Sequence, residues 1–256
     1  MQPASVKAVI TGGVSGLGLA VAQRLVATGA RVRLFDVDEK KAPAAIASLG
    51  ADVAGFMAVD VTSETAVAEA IKQAAEEMDG LNVAVNCAGI LGAGRVLGRA
   101  GPMPLDRFAG TVMVNLVGSF NVAKAAAECM QHNLPGEDGE RGVIIHTASI
   151  AAFEGQIGQA AYAASKAGVA GMTLPMAREF ARIGVRVMTI APGVFLTPMV
   201  DLMPEAVQHA LGASIPFPKR LGRSEEFADL AAHIIENCYF NGTVIRLDGA
   251  VRLEPK

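Results

Sequence analysis

The chain has 256 residues, 52% of them hydrophobic and 18% charged, with a formal net charge of −3. This is too apolar for a disordered chain and too near neutrality to make an electrostatic case for nucleic acid or an anionic membrane; its 28 glycines follow no three-residue period that would make it collagen-like. The length suits one large α/β domain that buries its core without staples.

Seven short apolar runs read as strands: residues 7–11, 31–36, 53–59, 81–86, 143–148, 185–191 and 243–247. They are almost continuously apolar, as expected of parallel strands covered on both faces. Between them lie longer Ala-rich stretches with helical patterns, among them 17–28, 62–78, 105–131 and 160–182. A glycine stands before each strand after the first: Gly29, Gly50, Gly80, Gly142, Gly184 and Gly242. Several, such as Gly29 and Gly184, end a helical pattern where glycine can take the left-handed cap conformation. Repeated helix–Gly–strand units imply a doubly wound, seven-stranded parallel sheet with helices on both faces, in a single domain over 1–256. Two insertions, 87–104 and 192–223, follow the carboxyl ends of strands, where open α/β sheets bind ligands.

Three cysteines (Cys87, Cys129, Cys238) are odd in number and scattered, and the four histidines have no metal-ligand spacing. Neither a disulfide framework nor a metal site is expected. The opening MQPASVKAVITGG has no basic leader followed by an apolar core, and the longest uncharged stretch, 108–123, is broken by Asn, Ser, Thr and Gly. The expectation is a cytoplasmic protein with no membrane partner.

The first strand runs into Gly12, Gly13, Ser15, Gly16, Leu17 and Gly18 and then a helix. Glycines in that turn let backbone approach a pyrophosphate, and the helix start offers free N–H groups to it. Asp36 ends the second strand, 18 residues after Gly18. A carboxylate there accepts from both ribose hydroxyls and repels a 2′-phosphate, which favours NAD over NADP. Asp60 and Val61 end the third strand, where a short polar residue can hydrogen-bond the adenine; the alternative is helix capping by Thr62 or Ser63 alone.

Tyr162 and Lys166 stand four residues apart in a helical pattern, hence on one face. A free tyrosine titrates near pH 10, and a neighbouring ammonium favours its phenolate. Ser149, 13 residues upstream at a strand end, can hydrogen-bond the same substrate oxygen. Such a group suits proton exchange with an alcohol or a carbonyl.

Gly12, Gly16, Gly18, Asp36, the run Asn86-Cys87-Ala88-Gly89, Asn115, Ser149, Tyr162, Lys166 and Pro192-Gly193 occur in the order that resembles the short-chain dehydrogenase/reductase family. The resemblance covers essentially the whole chain. It is closest to the subgroup of type II 3-hydroxyacyl-CoA dehydrogenases, also described as 17β-hydroxysteroid dehydrogenase-like, through residues 151–156, 172–175 and 245–250. That subgroup carries Cys at position 87, where most of the family has Asn.

The resemblance implies a Rossmann fold, NAD as cofactor and a homotetramer acting in fatty-acid metabolism. It implies that Tyr162 is the general acid/base, that Lys166 lowers its pKa and binds the nicotinamide ribose, and that Ser149 polarises the substrate oxygen. It implies that Asn115 holds a helix bend and a water linking Lys166 to solvent. Ser15 and Leu17 would line the pyrophosphate, Asp60, Val61 and Cys87 the adenosine half, and Phe195 and Thr197 the nicotinamide end. Gln159 is a candidate substrate contact.

The segment 195–221, within a lid at about 192–223, is rich in Phe, Leu, Met and Ile broken by prolines; these residues either suit an acyl chain or a steroid or simply pack the lid against the domain. Arg95, Arg99, Lys219, Arg220 and Arg223 lie on the two insertions, either as solvated charge or as partners of CoA phosphates. The expected reaction interconverts (S)-3-hydroxyacyl-CoA and 3-ketoacyl-CoA. Oxidation of a hydroxysteroid or another secondary alcohol is the alternative, and a non-catalytic NAD-binding module a distant one.

Overall fold

The apolar runs become strands whose side chains are covered from both sides. The structure, a computed structural model, describes residues 1–99, 101–197, 200 and 205–255, with only the backbone at 205–207. The principal strands are β1 (Lys7–Thr11), β2 (Arg31–Asp36), β3 (Ala54–Ala58), β4 (Val83–Asn86), β7 (Gly142–Thr147), β8 (Val185–Pro192) and β11 (Val244–Leu247). They form one parallel sheet in the order β11-β8-β7-β4-β1-β2-β3. Every residue of β4, β7 and β8 is buried. The strands match the sequence-based ranges to within two residues.

Helices cover both faces. On one lie α1 (Gly16–Val26), α2 (Ala42–Leu49) and α8 (Ser224–Glu236), enclosing a core that includes Ile10, Leu34, Val85, Ile145 and Phe227. On the other lie α3 (Glu64–Met78), α5 (Gly118–Met130) and α6 (Ala160–Phe180), around Val9, Phe35, Met78, Ile144 and Val187. From β1 the chain builds outward to β2 and β3, then returns to place β4 on the other side of β1. The crevice between the carboxyl ends of β1 and β4 is therefore the topological switch point, where such sheets take ligands.

One glycine departs from its expected place, and the long central helix shows how its bend is made. Gly184 is a left-handed helix cap at φ 70°, but Gly142 is a strand residue. A Cβ on Gly142 would stand 3.0 Å from the Asn82 carbonyl oxygen and against the Met130 sulfur, so close packing requires glycine there. The helix expected over 105–131, with a bend at Asn115, is α4 (Leu105–Val112) and α5, joined by a π-helical turn at Met113–Val117. Such a turn inserts one residue into the hydrogen-bond ladder and is often found at functional sites. Asn115 sits at its centre.

The first insertion holds a small ribbon, β5 (Leu97–Gly98) against β6 (Gly101–Pro102). In the second, β9 (Phe195–Leu196) pairs with β10 (Gly222–Arg223), so the two ends of the lid are clipped together around α7 (Glu205–Ser214). Among the described residues no helix is long and apolar enough to cross a membrane.

Candidate active site

The glycine turn is built for close backbone approach. Gly12 takes φ 63°, and a Cβ on it would lie 2.9 Å from the Ala88 nitrogen. A Cβ on Gly18 would run into the Gly12 carbonyl. The start of α1 is thus pulled against both β1 and the segment after β4. Ser15 is the N-cap of α1, but its side chain makes no cap hydrogen bond. The first N–H groups of the helix have no capping side chain and face the switch point, an arrangement that fits a pyrophosphate.

Thr11, which the sequence reading passed over, locks this end of the sheet. Its Oγ1 accepts hydrogen bonds from the backbone N–H groups of Cys87 and Ala88, each at 3.1 Å. Asp36 ends β2 with its carboxylate oriented by the N–H groups of Asp38 (3.0 Å) and Val14 (3.4 Å). Of its basic neighbours Arg33, Lys40 and Lys41, two are engaged elsewhere: Arg33 with Glu77 at 2.7 Å and Lys41 with Asp38 at 2.9 Å. Asp60 accepts from the Thr62 backbone and hydroxyl through one oxygen, while Ser63 Oγ caps α3 at Ala66. Asn121, also missed from sequence, holds the Val61 carbonyl at 3.1 Å.

Toward β7 the polar groups become buried. Lys166 is 4% exposed and donates from Nζ to the Thr147 carbonyl at 2.7 Å. Burial pulls its pKa down to about 8, partly opposed by the Cys87 thiol. Its ammonium lies 5.8 Å from the centre of the Tyr162 ring. Ser149 stands at the end of β7 and accepts from the Ala151 N–H at 3.1 Å.

The Tyr162 phenol is pushed up by burial and drawn back by its hydrogen bond with Ser149. In the free protein desolvation prevails over the neighbours that favour the phenolate. A phenolate at neutral pH needs further positive charge beside it.

Asn115 is fully buried and its amide is saturated. Its Oδ1 accepts from the Ile90 N–H (2.8 Å), and its Nδ2 donates to the Ile90 carbonyl (2.9 Å) and to Ser165 Oγ (3.0 Å). Ser165 in turn donates to the Tyr162 carbonyl at 2.7 Å. The π-helical turn thereby fastens the first insertion to the helix that carries Tyr162 and Lys166. A Cβ on Gly89 would come within 3.1 Å of Asn115 Oδ1 and 3.6 Å of Lys166 Nζ, so the run Asn86–Gly89 reaches from the turn after β4 to the lysine.

Cys87 is half-buried, its thiol pushed up to about 11 by desolvation, and it accepts a hydrogen bond from Thr147 Oγ1 at 3.4 Å. One rung earlier, Asn86 Nδ2 bonds both the Ser119 carbonyl (3.4 Å) and His146 Nδ1 (3.2 Å). Polar residues inside an otherwise apolar strand, His146 and Thr147, were the available signal for this network.

Other candidates are placed differently. Gly193 donates to the Leu247 carbonyl at 2.8 Å and lies tight against Asp248, which fixes the bend after Pro192. Phe195 is 7% exposed, and its ring packs edge-on against Phe227 at 6.4 Å. The expected apolar lid loses this side chain to the core, leaving only the backbone of Phe195 for a ligand. Ile215 also turns inward, against Ile150 and Val251. Of the other expected lid residues, Pro198, Met199, Leu202, Met203 and Pro204 lie outside the described residues.

Gln159 bonds Gln156 through both ends of its amide, at 3.0 and 3.3 Å, so its side chain is engaged within its own loop. Arg220 forms a two-pronged pair with Glu226, at 2.7 and 2.9 Å, and Arg223 lies 3.6 Å from the same carboxylate. The two cations share this one carboxylate, with Arg220 held closely and Arg223 at the longer distance. Among the described residues no group of three or more His, Cys, Asp or Glu could hold a metal ion.

Comparisons with known proteins follow this geometry. The family model described as short chain dehydrogenase matches residues 6–208. The 3-hydroxyacyl-CoA dehydrogenase type-2 of Homo sapiens is 51% identical over 250 residues, covering 97% of this chain and 95% of that protein. Its counterpart in Drosophila melanogaster is 48% identical, covering 96% and 97%. The crystal structure of 3-hydroxyacyl-CoA dehydrogenase type-2 from Mycobacterium avium superposes with a TM-score of 0.92 at 44% identity, over 98% of this chain and 97% of that one. The chain belongs to the short-chain dehydrogenase family of oxidoreductases.

Proposed function

We propose that this protein is an NAD-dependent dehydrogenase that interconverts (S)-3-hydroxyacyl-CoA and 3-ketoacyl-CoA. The observation that carries the reading is the Ser149, Tyr162 and Lys166 group at the open end of the switch point, with Lys166 buried and anchored on Thr147. The half-identical relatives named for this activity support the substrate class.

Gly12, Ser15, Gly16, Leu17 and Gly18 would hold the pyrophosphate, and Asp36 the adenosine ribose hydroxyls. Asp60, Val61, Asn86, Cys87, Ala88 and Gly89 would line the cofactor between its two ends. Pro192, Gly193, the backbone of Phe195, and Thr197 would hold the nicotinamide, and Tyr162 and Lys166 its ribose. Asp36 excludes a 2′-phosphate and so selects NAD. When bound, the oxidised nicotinamide supplies a hydride acceptor and a positive charge.

In the oxidising direction, Tyr162 as phenolate takes the proton of the substrate hydroxyl. Ser149 donates to the same substrate oxygen and orients it. Lys166 keeps an ammonium beside Tyr162 and favours the phenolate once that added charge is present. Asn115 holds the first insertion and the Tyr162 helix in register. In the reducing direction Tyr162 returns the proton to the ketone oxygen.

The 1–256 chain acts as a single NAD-binding domain closed by the 192–223 lid. Exposed Met113, Val117 and Phe120 on the outer face of α4–α5, and Leu174 on α6, supply apolar surface for subunit contacts, consistent with a homotetramer. Sedimentation that shows only monomer would exclude that assembly.

The direct test is NADH oxidation with acetoacetyl-CoA, a keto-steroid and a simple ketone in parallel. Acetoacetyl-CoA should give the highest kcat/KM. A preference for the steroid would replace the acyl-CoA reading with the hydroxysteroid one, and a preference for NADPH would overturn the role of Asp36. Tyr162→Phe should abolish turnover while NADH still binds.

A further inference from the structure

The structure sorts the cations around the site into paired and unpaired groups. Residues 87–104 contain no Asp or Glu, yet they carry Arg95 and Arg99 in a chain whose net charge is negative. Both arginines are exposed and neither has an ion-pair partner among the described residues. Asp106, the next acid along the chain, uses Oδ1 to accept from the Arg107 N–H at 2.8 Å. Arg107 itself turns back to the Ala93 carbonyl.

Two acids on neighbouring elements are already engaged. Glu154, the acid of the loop after Ser149, is held by Arg246 at 2.7 Å and Arg252 at 3.2 Å. Glu226 is taken by Arg220 and Arg223. On the lid, Lys219 is exposed and has no ion-pair partner among the described residues.

The position of Arg95 is fixed by its neighbours. Ile90 exchanges both backbone groups with the Asn115 amide. Four residues on, the Gly94 N–H donates to the Gly158 carbonyl at 2.8 Å. Gly158 has φ 91°, and a Cβ there would stand 3.8 Å from the Gly94 carbonyl carbon, so the two backbones lie side by side. Gly158 is four residues before Tyr162. Arg95 therefore begins one residue beyond a bond to the segment that leads into the catalytic helix, at the same edge of the sheet as the lid.

We propose that Arg95 and Arg99 form an anion-binding rim that takes phosphate groups of the nucleotide carrier of the thioester substrate. The inference rests on the acyl-CoA reading and deepens it. A carrier with several phosphates can meet two flexible guanidiniums without a rigid pocket, because each is a multi-donor fork suited to phosphate oxygens. Solvent exposure keeps the gain modest and sensitive to salt.

The experiment compares acetoacetyl-CoA with the acetoacetyl thioester of N-acetylcysteamine, which carries the same reacting group and no phosphate. For the unaltered protein, kcat/KM is read on both at low and high ionic strength, and again for the Arg95→Ala/Arg99→Ala double variant and the Arg95→Lys/Arg99→Lys variant. At low salt the ratio of the two kcat/KM values should fall on the order of fivefold in the alanine variant. The loss should appear in KM for the CoA thioester, and the lysine variant should restore most of it. High salt should erase the difference between the unaltered and alanine proteins.

An unchanged ratio, or equal losses on both thioesters, overturns the rim. In the unaltered protein, a CoA preference that salt does not weaken also overturns it, without recourse to any variant. If the unaltered protein reduces neither thioester but does reduce another ketone, the underlying acyl-CoA reading fails instead.

Discussion

Lowering the pH should destabilise this protein before its carboxylates begin to titrate, because of His146. Its ring is fully buried on β7, across from Asn86 on β4. Asn86 Nδ2 donates to the Ser119 carbonyl as well as to His146 Nδ1. The imidazole is therefore an acceptor at Nδ1 and carries its hydrogen on Nε2, which has no partner among the described residues. Burial, reinforced by the Lys166 ammonium, pulls the His146 pKa down to about 3 from an ordinary 6.5.

The folded-state value lies below the unfolded one, so this stability is present above about pH 6.5 and is lost as the pH falls toward 3. At pH 5 the unfolded histidine is mostly charged and the folded one is not. The difference is about 1.5 pH units, or roughly 2 kcal/mol. Urea unfolding at pH 7.5, 6 and 5, at one fixed protein concentration, measures it. His146→Asn, neutral throughout and still able to accept from Asn86, is the control. The unaltered protein should lose about 2 kcal/mol more than the variant between pH 7.5 and 5. Asp38, Glu64, Glu77, Glu154 and Glu226 are held below their ordinary values by basic or hydrogen-bonding neighbours. Their losses fall at lower pH and are common to both proteins. Parallel pH curves would show that His146 is hydrated or already charged, and would refute the burial argument.

Two further predictions concern the cofactor end and the lid. Asp36→Ala should raise the Kd for NADH and narrow the gap to NADPH, read by fluorescence titration; an unaltered NADH/NADPH ratio would remove Asp36 as the discriminator. Phe195→Ala should lower stability by about 3–5 kcal/mol, the cost of emptying an aromatic site in a packed core. A change in KM without a change in urea midpoint would place the ring in the ligand site instead.

The βαβ order, the seven strands and the glycine turn were legible because each has a local cause: continuous apolar runs, helix-ending glycines, and a Gly-rich strand-to-helix turn. What was not legible depends on partners remote in sequence. In sequence Gly142 precedes an apolar run just as Gly184 does, yet one is demanded by Met130 and Asn82 and the other by its own φ. The periodicity of 105–131 cannot show that one residue of ladder is inserted at Asn115. Hydrophobic Phe195 suits an apolar lid or a core equally well, and the nearby Phe227 decides between them. Arg220 and Arg223 look like free cations until Glu226, on a different element, takes both. Thr11, Ser165 and Asn121 have no motif of their own; their importance is that they satisfy backbone groups at the site.

Lys166 tests whether the site is stable because of its catalytic groups or in spite of them. Its pKa is pulled down to about 8 from 10.5, chiefly by burial. The charged form is thus disfavoured in the folded state by about 2.5 pH units, roughly 3 kcal/mol, relative to the unfolded chain. Here too the folded value lies below the unfolded one, so stability should rise with pH between about 8 and 10.5, as the folded lysine loses its proton first. Lys166→Met removes that slope. It also strands the Thr147 carbonyl, at a cost of about 1–3 kcal/mol, so at pH 7 the two effects largely offset. The informative readout is therefore the pH dependence: between pH 8 and 10.5 the unaltered protein should gain about 3 kcal/mol relative to the variant, while turnover is lost in the variant at every pH. If the variant shows the same slope, Lys166 is not desolvated in the folded state. If it also loses several kcal/mol at pH 7, the ammonium serves first as a structural link between α6 and β7. A vanished slope with little net change at pH 7 is the result that marks Lys166 as a buried charge whose cost the fold bears for its chemistry.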